Sequence, residues 1–353
     1  MENGVEFYPL THPQKGIWYT EKMYPGTSIG NIAATLRIKG NVDYGLLERA
    51  VNLFIEKNDA ARLRVIEEND EPKLYISEYT YHKLDLYDFQ DKELTDLYYW
   101  EDEQAKKPFD LIDSELVHFD LIKVNDSDGG FYAKMHHLVS DAWTMSLLGN
   151  QVIEYYTALK NGEEIPNGMI PSYCDFILSE EEYFKSDRFN KDKEYWNEKF
   201  KVCPEKATLK KVNPNEVGTK ARRKAMVTPK KLSAKIYQYC SENKTSVYSL
   251  LIAALAMYIN RITAKENIVF GTTTLNRANA KEKEVVGLFI NIAPICLNIR
   301  ADMNFKTLVE IVSRDGLSLL RHQKYPYDLI LKEVRSKHKI TGNIFFLLFS
   351  LPN

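Results

Sequence analysis

Two strand-like runs joined by a turn and followed at once by a helix constrain this chain more than any other feature. Leu116 to Val124 and Gly130 to Met135 are strand-like, and Asn125-Asp126-Ser127-Asp128-Gly129 between them is built from residues that turns select. The pattern predicts an antiparallel hairpin. Trp143 to Lys160 then changes to helical spacing through Leu147, Leu148, Val152, Tyr155 and Leu159, and Asn161-Gly162 supplies a helix stop. A hairpin that runs into a long helix calls for a sheet with helices packed against it, which makes the fold class α/β.

The same vocabulary recurs on both sides of this segment. Asn31 to Lys39 alternates apolar and polar residues as a strand does, and Asp43 is placed to cap a helix carried by Leu46, Leu47, Ala50, Val51 and Phe54. In the second half, Glu180 to Phe200 reads as a charged, aromatic-rich helix and Thr245 to Thr263 as an apolar one. Asn267 to Thr274 and Val285 to Ile299 read as strands. Between the halves, Glu163 to Pro171 holds two prolines and a glycine among polar residues. The expected division is therefore a first lobe over residues 1–168 and a second over 169–353.

Composition narrows the function classes. With 44% hydrophobic and 27% charged residues the chain can build a packed core, and a formal net charge of -2 gives no global pull toward nucleic acid or a membrane surface. The most apolar stretch, Val247 to Ile259, has thirteen residues, short of the roughly 20 that a membrane span requires. The first six residues are neither basic nor apolar, so no signal peptide is read there. Cys174, Cys203, Cys240 and Cys296 are scattered without metal-type spacing, which fits a reduced, cytoplasmic setting.

Chemistry is concentrated in His136-His137-Leu138-Val139-Ser140-Asp141-Ala142-Trp143, between the hairpin and the long helix. An imidazole titrates near neutrality and is the usual side chain for proton transfer. Neighbouring strand residues point to opposite faces, so at most one of the two histidines faces a cleft, and the pair converges poorly on a metal ion. No metal site is read here. His137 shares strand parity with Phe131, Ala133 and Met135, which predicts a buried position. Asp141 stands where an aspartate ordinarily caps a helix. Pattern alone leaves both structural and chemical roles open for these residues.

The octapeptide resembles the HHxxxDGW core of condensation domains of nonribosomal peptide synthetases, with Ala142 in place of glycine. Further matches follow in the same order. Gln14 and Trp18 match the SxAQxRLW segment, whose arginine is absent here. Asp59 and Arg62 remain from a degraded RHExLR. Tyr173-Cys174-Asp175-Phe176 is similar to YxDY, and Tyr195-Trp196 to the YW pair. Val286-Gly287-Leu288-Phe289-Ile290-Asn291 is similar to IGxFVNT, and His322-Gln323-Lys324-Tyr325-Pro326-Tyr327-Asp328 to HQxYPFD.

The resemblance implies two chloramphenicol-acetyltransferase-like lobes arranged as a V-shaped pseudo-dimer, with a tunnel between them for two phosphopantetheine arms. It implies amide formation between a donor acyl or peptidyl thioester and an acceptor aminoacyl thioester, with His137 catalytic. His136, Trp143 and Asn291 are supporting residues, and Asp141 is expected to pair with Arg277 from the second lobe. Ala142 is expected to add a methyl beside the thioester, and Gly287 to allow a close backbone approach. No cofactor is bound by the domain itself. The implied partners are donor and acceptor peptidyl carrier proteins and an adenylation domain of the same synthetase, with neither nucleic acid nor membrane. The chain stops at Phe349-Ser350-Leu351-Pro352-Asn353, where members of that family continue, so a truncated second lobe is expected.

Several alternatives stand beside this reading. One is a degenerate domain that only docks a carrier, and another is a stand-alone acyltransferase using an acyl thioester. Trp143 after Asp141-Ala142 favours condensation over epimerisation, and heterocyclisation domains replace the His pair with aspartates. The basic run Lys220-Ala221-Arg222-Arg223-Lys224 is either a solvated face or a contact for an acidic carrier surface.

Overall fold

In the computed structural model, which describes residues 5–166, 168, 170–203, 218–219, 221–345 and 347–350, the hairpin turn tightens to Asp126-Ser127. The Asn125 side-chain oxygen accepts the Ser127 N–H at 2.9 Å and closes it. In chain order, the elements up to residue 184 are β1 (Tyr8–Pro9), α1 (His12–Met23), β2 (Asn31–Lys39), α2 (Tyr44–Lys57), a 3-10 turn (Asp59–Arg62), β3 (Leu63–Glu68), β4 (Glu71–Ile76), β5 (Leu86–Asp88), α3 (Leu94–Lys106), β6 (Val117–Asn125), β7 (Asp128–His136), α4 (Ala142–Asn161) and α5 (Tyr173–Phe184). There follow α6 (Asp187–Lys199), α7 (Lys230–Glu242), α8 (Val247–Thr263), β8 (Asn267–Thr274), α9 (Ala280–Glu284), β9 (Asn291–Asn298), α10 (Phe305–Arg321), α11 (Tyr327–His338) and β10 (Leu348–Phe349). No single helix among the described residues is long and apolar enough to cross a membrane.

Two compact units partition these elements. The first comprises the residues up to Phe184 together with Arg277–Phe289, and the second comprises Lys185–Asn276 with Ile290 onward. The division expected after residue 168 thus falls inside the first unit. Packing explains the displacement. Phe176 of α5 lies against Phe289 with ring centroids 4.0 Å apart, and Tyr173 lies 5.6 Å from the same ring. The Asp59 carboxylate, in the degraded RHExLR segment, accepts the Tyr173 N–H at 3.1 Å and so holds the start of α5.

In the first unit, a four-stranded sheet has the order β2-β7-β6-β5, beside a smaller β1-β4-β3 sheet. β7 is central, and all nine of its residues are buried. Phe131, Ala133 and Met135 face the main core with Phe54, Phe119, Leu148 and Val152. Tyr132, on the opposite parity, packs with Phe89, Leu97 and Trp100 under α3. Burial on both faces is why polar Lys134 and His136 are 6% and 1% exposed although they alternate with the core residues.

The second unit builds on β8 and β9, paired antiparallel from Asn267↔Asn298 to Thr274↔Asn291, with β10 parallel on the other side of β8. Ile252, Ala256, Phe270, Leu308, Tyr325 and Trp196 fill its core. The YW and HQxYPFD segments meet here: Tyr195 stacks on His322 at 3.9 Å, and the Trp196 indole N–H donates to the His322 carbonyl at 3.2 Å.

Two expectations about single elements are corrected. The helix expected over residues 180–200 is broken into α5 and α6, because Ser186 caps α6 by accepting the Phe189 N–H at 3.3 Å. The strand expected from Val285 begins only at Asn291. Val285, Val286, Leu288 and Phe289 are buried, but their segment is fastened by side chains of the first unit rather than by a strand ladder.

Gly130 of β7 stands opposite Arg37 of β2 and leaves no room for a side chain. It has φ +154°, and an added Cβ would lie 1.9 Å from the Leu36 carbonyl oxygen. That atom is backbone and cannot turn aside. Gly130→Ala is expected to lower the unfolding free energy by about 1–3 kcal/mol, measured by urea denaturation. An unchanged midpoint would mean that β2 slides at no cost.

Candidate functional site

Asp141 is both a helix cap and an ion-pair partner. One carboxylate oxygen accepts the Thr144 N–H at 2.8 Å at the start of α4. The other accepts from the Arg277 guanidinium at 2.7 Å and from the Phe289 N–H at 3.1 Å. Both side chains of the pair are 0% exposed. Arg277 also donates to the carbonyls of Val285 at 3.2 Å and Gly287 at 3.1 Å, and it lies 4.0 Å from the centre of the Phe289 ring. The arginine was expected from the second lobe. It follows β8 in sequence, yet the segment it opens is part of the first unit, so the pair is internal to that unit.

Thr144 and Gly287 complete this knot. The Thr144 hydroxyl donates to the Gly287 carbonyl at 2.8 Å and accepts the Gly287 N–H at 2.9 Å. Gly287 has φ +148°, and a Cβ there would stand 2.2 Å from the Tyr173 ring, so the close approach read from sequence is real. The Tyr173 hydroxyl donates to the Leu288 carbonyl at 2.7 Å. Complete burial holds that phenol's pKa well above its ordinary 10.0.

The two histidines separate where the strand ends. His136 is the last residue of β7 and lies on the α3-facing parity. His137 falls in the turn that follows, where strand parity no longer applies, and it is partly exposed rather than buried as parity predicted. Its N–H donates to the Gly30 carbonyl at 2.7 Å.

The partners of each ring decide where its proton sits. His137 Nδ1 is 2.8 Å from the Ser140 carbonyl oxygen, an atom that only accepts, so Nδ1 carries the hydrogen. Nε2 keeps its lone pair and has no protein partner among the described residues. Desolvation by the surrounding protein pulls the His137 pKa below its ordinary 6.5, against the opposing pull of the Ser140 carbonyl and the Asp141 charge. In His136 the order is reversed. Nδ1 accepts the Leu138 N–H at 3.2 Å, so the proton is on Nε2, 3.2 Å from the Glu21 carboxylate.

Ala142 opens α4 with helical backbone and an exposed side chain, so its position does not require glycine's freedom at positive φ. The Trp143 indole N–H donates to the Lys283 carbonyl at 2.8 Å, fastening α4 to the segment that carries Arg277. Asn291, in the second unit, spends its amide hydrogens on the carbonyls of Gln323 at 2.8 Å and Tyr325 at 3.0 Å. Arg222, Arg223 and Lys224 of the basic run are exposed, while Lys220 lies outside the described residues.

Three residues at this site went unnoticed in the sequence: Glu21, Gly30 and Thr144. Glu21 had a signal. With Gln14 and Trp18 it forms the buried stripe of α1, and a carboxylate at helical spacing from a buried tryptophan calls for a partner. Gly30 and Thr144 gave none.

Comparison with known proteins adds a family and a fold. The sequence profile described as Condensation domain matches residues 5–353. The first of the surfactin synthase subunits of Bacillus subtilis is 38% identical over 97% of this chain, and one of the plipastatin synthase subunits of the same organism is 35% identical over 96%. The chain spans only 10% and 13% of the length of those relatives. Among solved structures, the first condensation domain of the CDA synthetase superposes with a TM-score of 0.85 at 21% identity, covering 99% of this chain and 83% of that one. A double mutant of the starter condensation domain of rhizomide synthetase, solved with C8-CoA and Leu-SNAC, gives 0.83 at 22% identity, covering 98% and 78%. The fold is the mixed α/β, two-lobed chloramphenicol-acetyltransferase-like one.

The Asp141–Arg277 pair invites a double-mutant cycle. Arg277→Leu leaves a buried carboxylate uncompensated and is expected to cost about 3–5 kcal/mol of stability. The double variant Asp141→Leu/Arg277→Leu is expected to cost much less than the two single changes summed, as read by denaturant unfolding. Strict additivity would show that the two groups do not couple.

Proposed function

This chain belongs to the condensation-domain family of nonribosomal peptide synthetases, and from that premise we propose that it forms an amide between two carrier-bound thioesters. The donor is an acyl or peptidyl thioester and the acceptor an aminoacyl thioester, each on the phosphopantetheine arm of a peptidyl carrier protein. An adenylation domain of the same synthetase charges the carriers, the domain holds no cofactor of its own, and the setting is cytoplasmic. The observation that carries this reading is the His137 ring, with Nδ1–H spent on Ser140 and Nε2 open.

The acceptor amine nitrogen attacks the donor carbonyl carbon, forming the C–N bond and placing negative charge on the carbonyl oxygen. The amine loses a proton, the C–S bond breaks, and the departing thiolate takes up a proton. An α-amine has a pKa of about 8, so at neutral pH it arrives largely as ammonium and its protons must be passed on. His137 Nε2 receives a hydrogen bond from the amine and accepts or steers that proton. A neutral imidazole is required for this, and desolvation keeps it neutral. Asp141 and Arg277 organise the backbone on either side of the motif and do not react. His136 supports from behind, Trp143 fastens α4, and Asn291 shapes the second unit.

A second reading takes an acyl thioester such as an acyl-coenzyme A as donor. Its support is the rhizomide starter domain solved with C8-CoA. Donor competition between a loaded carrier and octanoyl-coenzyme A separates the two.

His137→Ala, supplied with loaded donor and acceptor carriers, is expected to slow amide formation by about 10²-fold or more with little change in melting temperature. His136→Ala removes the acceptor of the Leu138 N–H and is expected to lower stability and, through the turn that follows, the rate as well. Full amide formation by a folded His137→Ala variant would remove the histidine from the mechanism and leave positioning by the protein as its basis. Absence of amide formation by the unaltered chain with either donor would favour a domain that only docks carriers.

The direction of the His137 shift gives a pH test. The folded protein holds this imidazole less protonated than the unfolded chain does, so the group costs stability as pH falls through 6.5 toward its folded value and costs none above it. An NMR titration of His137 is expected to give a midpoint below 6.5. A midpoint above that value would contradict the neutral-base reading.

A further inference from the structure

The hydrogen bonds that fix His137 do not begin at His137. We propose that Glu21 is a positioning residue for His137, acting through His136. The inference rests on the reading of His137 given above and extends it to a residue on another element.

Glu21 stands on the buried stripe of α1 and is 7% exposed. Its carboxylate takes the Nε2–H of His136, itself 1% exposed. With that proton held on Nε2, Nδ1 is left to accept the Leu138 N–H. The His136 carbonyl accepts the Val139 N–H and the Ser140 hydroxyl, each at 3.0 Å. Ring and carbonyl together therefore shape the turn from His137 to Ser140. That turn presents the Ser140 carbonyl to His137 Nδ1–H. A second grip comes from the same helix face, where the Gln14 amide donates to the Leu138 carbonyl at 2.8 Å.

Without an acceptor at position 21, the buried Nε2–H of His136 has no partner, and an unpaired buried donor is costly. Moving the proton to Nδ1 relieves it but takes the acceptor from the Leu138 N–H. The turn then loses one of its fastenings, and the Ser140 carbonyl no longer selects the His137 tautomer with a free Nε2. Gly30 shows how closely the pair is set. A Cβ there would lie 2.3 Å from His136 Nε2 and 2.5 Å from Glu21 Oε1. Glu21 also lines a cavity of about 240 Å³ with Trp18, Phe109 and Leu111, so an apolar side chain at position 21 has room without displacing α1.

Two variants of the whole chain test the relay, read by ring ¹⁵N spectra of the histidines and by amide formation with loaded carriers. Glu21→Leu is expected to turn the single His137 tautomer into a mixture and to slow amide formation by about 10²-fold, the scale of a small misplacement of a reacting group. Glu21→Gln, whose side-chain carbonyl accepts the same Nε2–H, is expected to restore both. One tautomer at His137 with an unaltered rate in Glu21→Leu overturns the proposal. A tautomer mixture at an unaltered rate leaves the relay standing and overturns the role of His137 in the reaction. Should Glu21→Leu fail to fold, Gly30→Ala wedges a methyl between carboxylate and imidazole, and a single His137 tautomer there overturns the proposal equally.

Discussion

The arrangement around the histidines depends on one buried carboxylate. Asp141 begins α4 through the Thr144 N–H, holds the Arg277 guanidinium, and takes the Phe289 N–H, so a single side chain joins the end of the hairpin to a segment 136 residues away in sequence. A charge in this position is tolerable because a guanidinium and two backbone N–H groups donate to it. The cap and the ion pair are often treated as rival explanations for an aspartate after a strand. Here the two oxygens divide the work.

From that fixed point the chemistry is built by hydrogen-bond direction rather than by charge. Carbonyl oxygens and backbone N–H groups cannot exchange roles, so each one that meets an imidazole nitrogen decides where the ring's proton sits. Ser140 and Leu138 make opposite choices for adjacent histidines. One ring is left with an open lone pair toward its surroundings, and the other is sealed. The desolvation that lowers the His137 pKa then acts on a ring already oriented.

Much of this was legible in the sequence, for reasons that particular residues show. β2 and β8 were readable to the residue, β2 from its strand alternation and β8 as a short run rich in β-branched residues. Asp43 begins α2 and Gly162 ends α4 as their chemistry dictates, the latter with φ +69°. The family could be recognised because its motifs lie in order, and the profile match over residues 5–353 bears this out. What failed did so where tertiary bonds replaced local pattern. Val285 to Phe289 looked like a strand because it is apolar, but Thr144, Asp141 and Arg277 take its backbone groups. His137 fell off the strand parity because the strand stopped one residue before it. Glu21 is legible only through its helical spacing from Gln14 and Trp18, since a glutamate on a helix carries no message by itself.

The membership of Arg277–Phe289 in the first unit has a consequence for how the protein is made. A ribosome delivers Asp141, completes α4 and α5, and then synthesises α6 to β8 of the other unit before the arginine emerges. At about 5–20 residues per second, the 136 residues between them take roughly 7–27 seconds. Throughout that interval the first unit lacks its counter-charge and the apolar cover of Leu288 and Phe289. It cannot reach its final packing as an early, self-contained product of translation. Completion of the histidine-bearing unit is thus timed by the growth of the second, and the nascent chain holds an open core for as long as that takes.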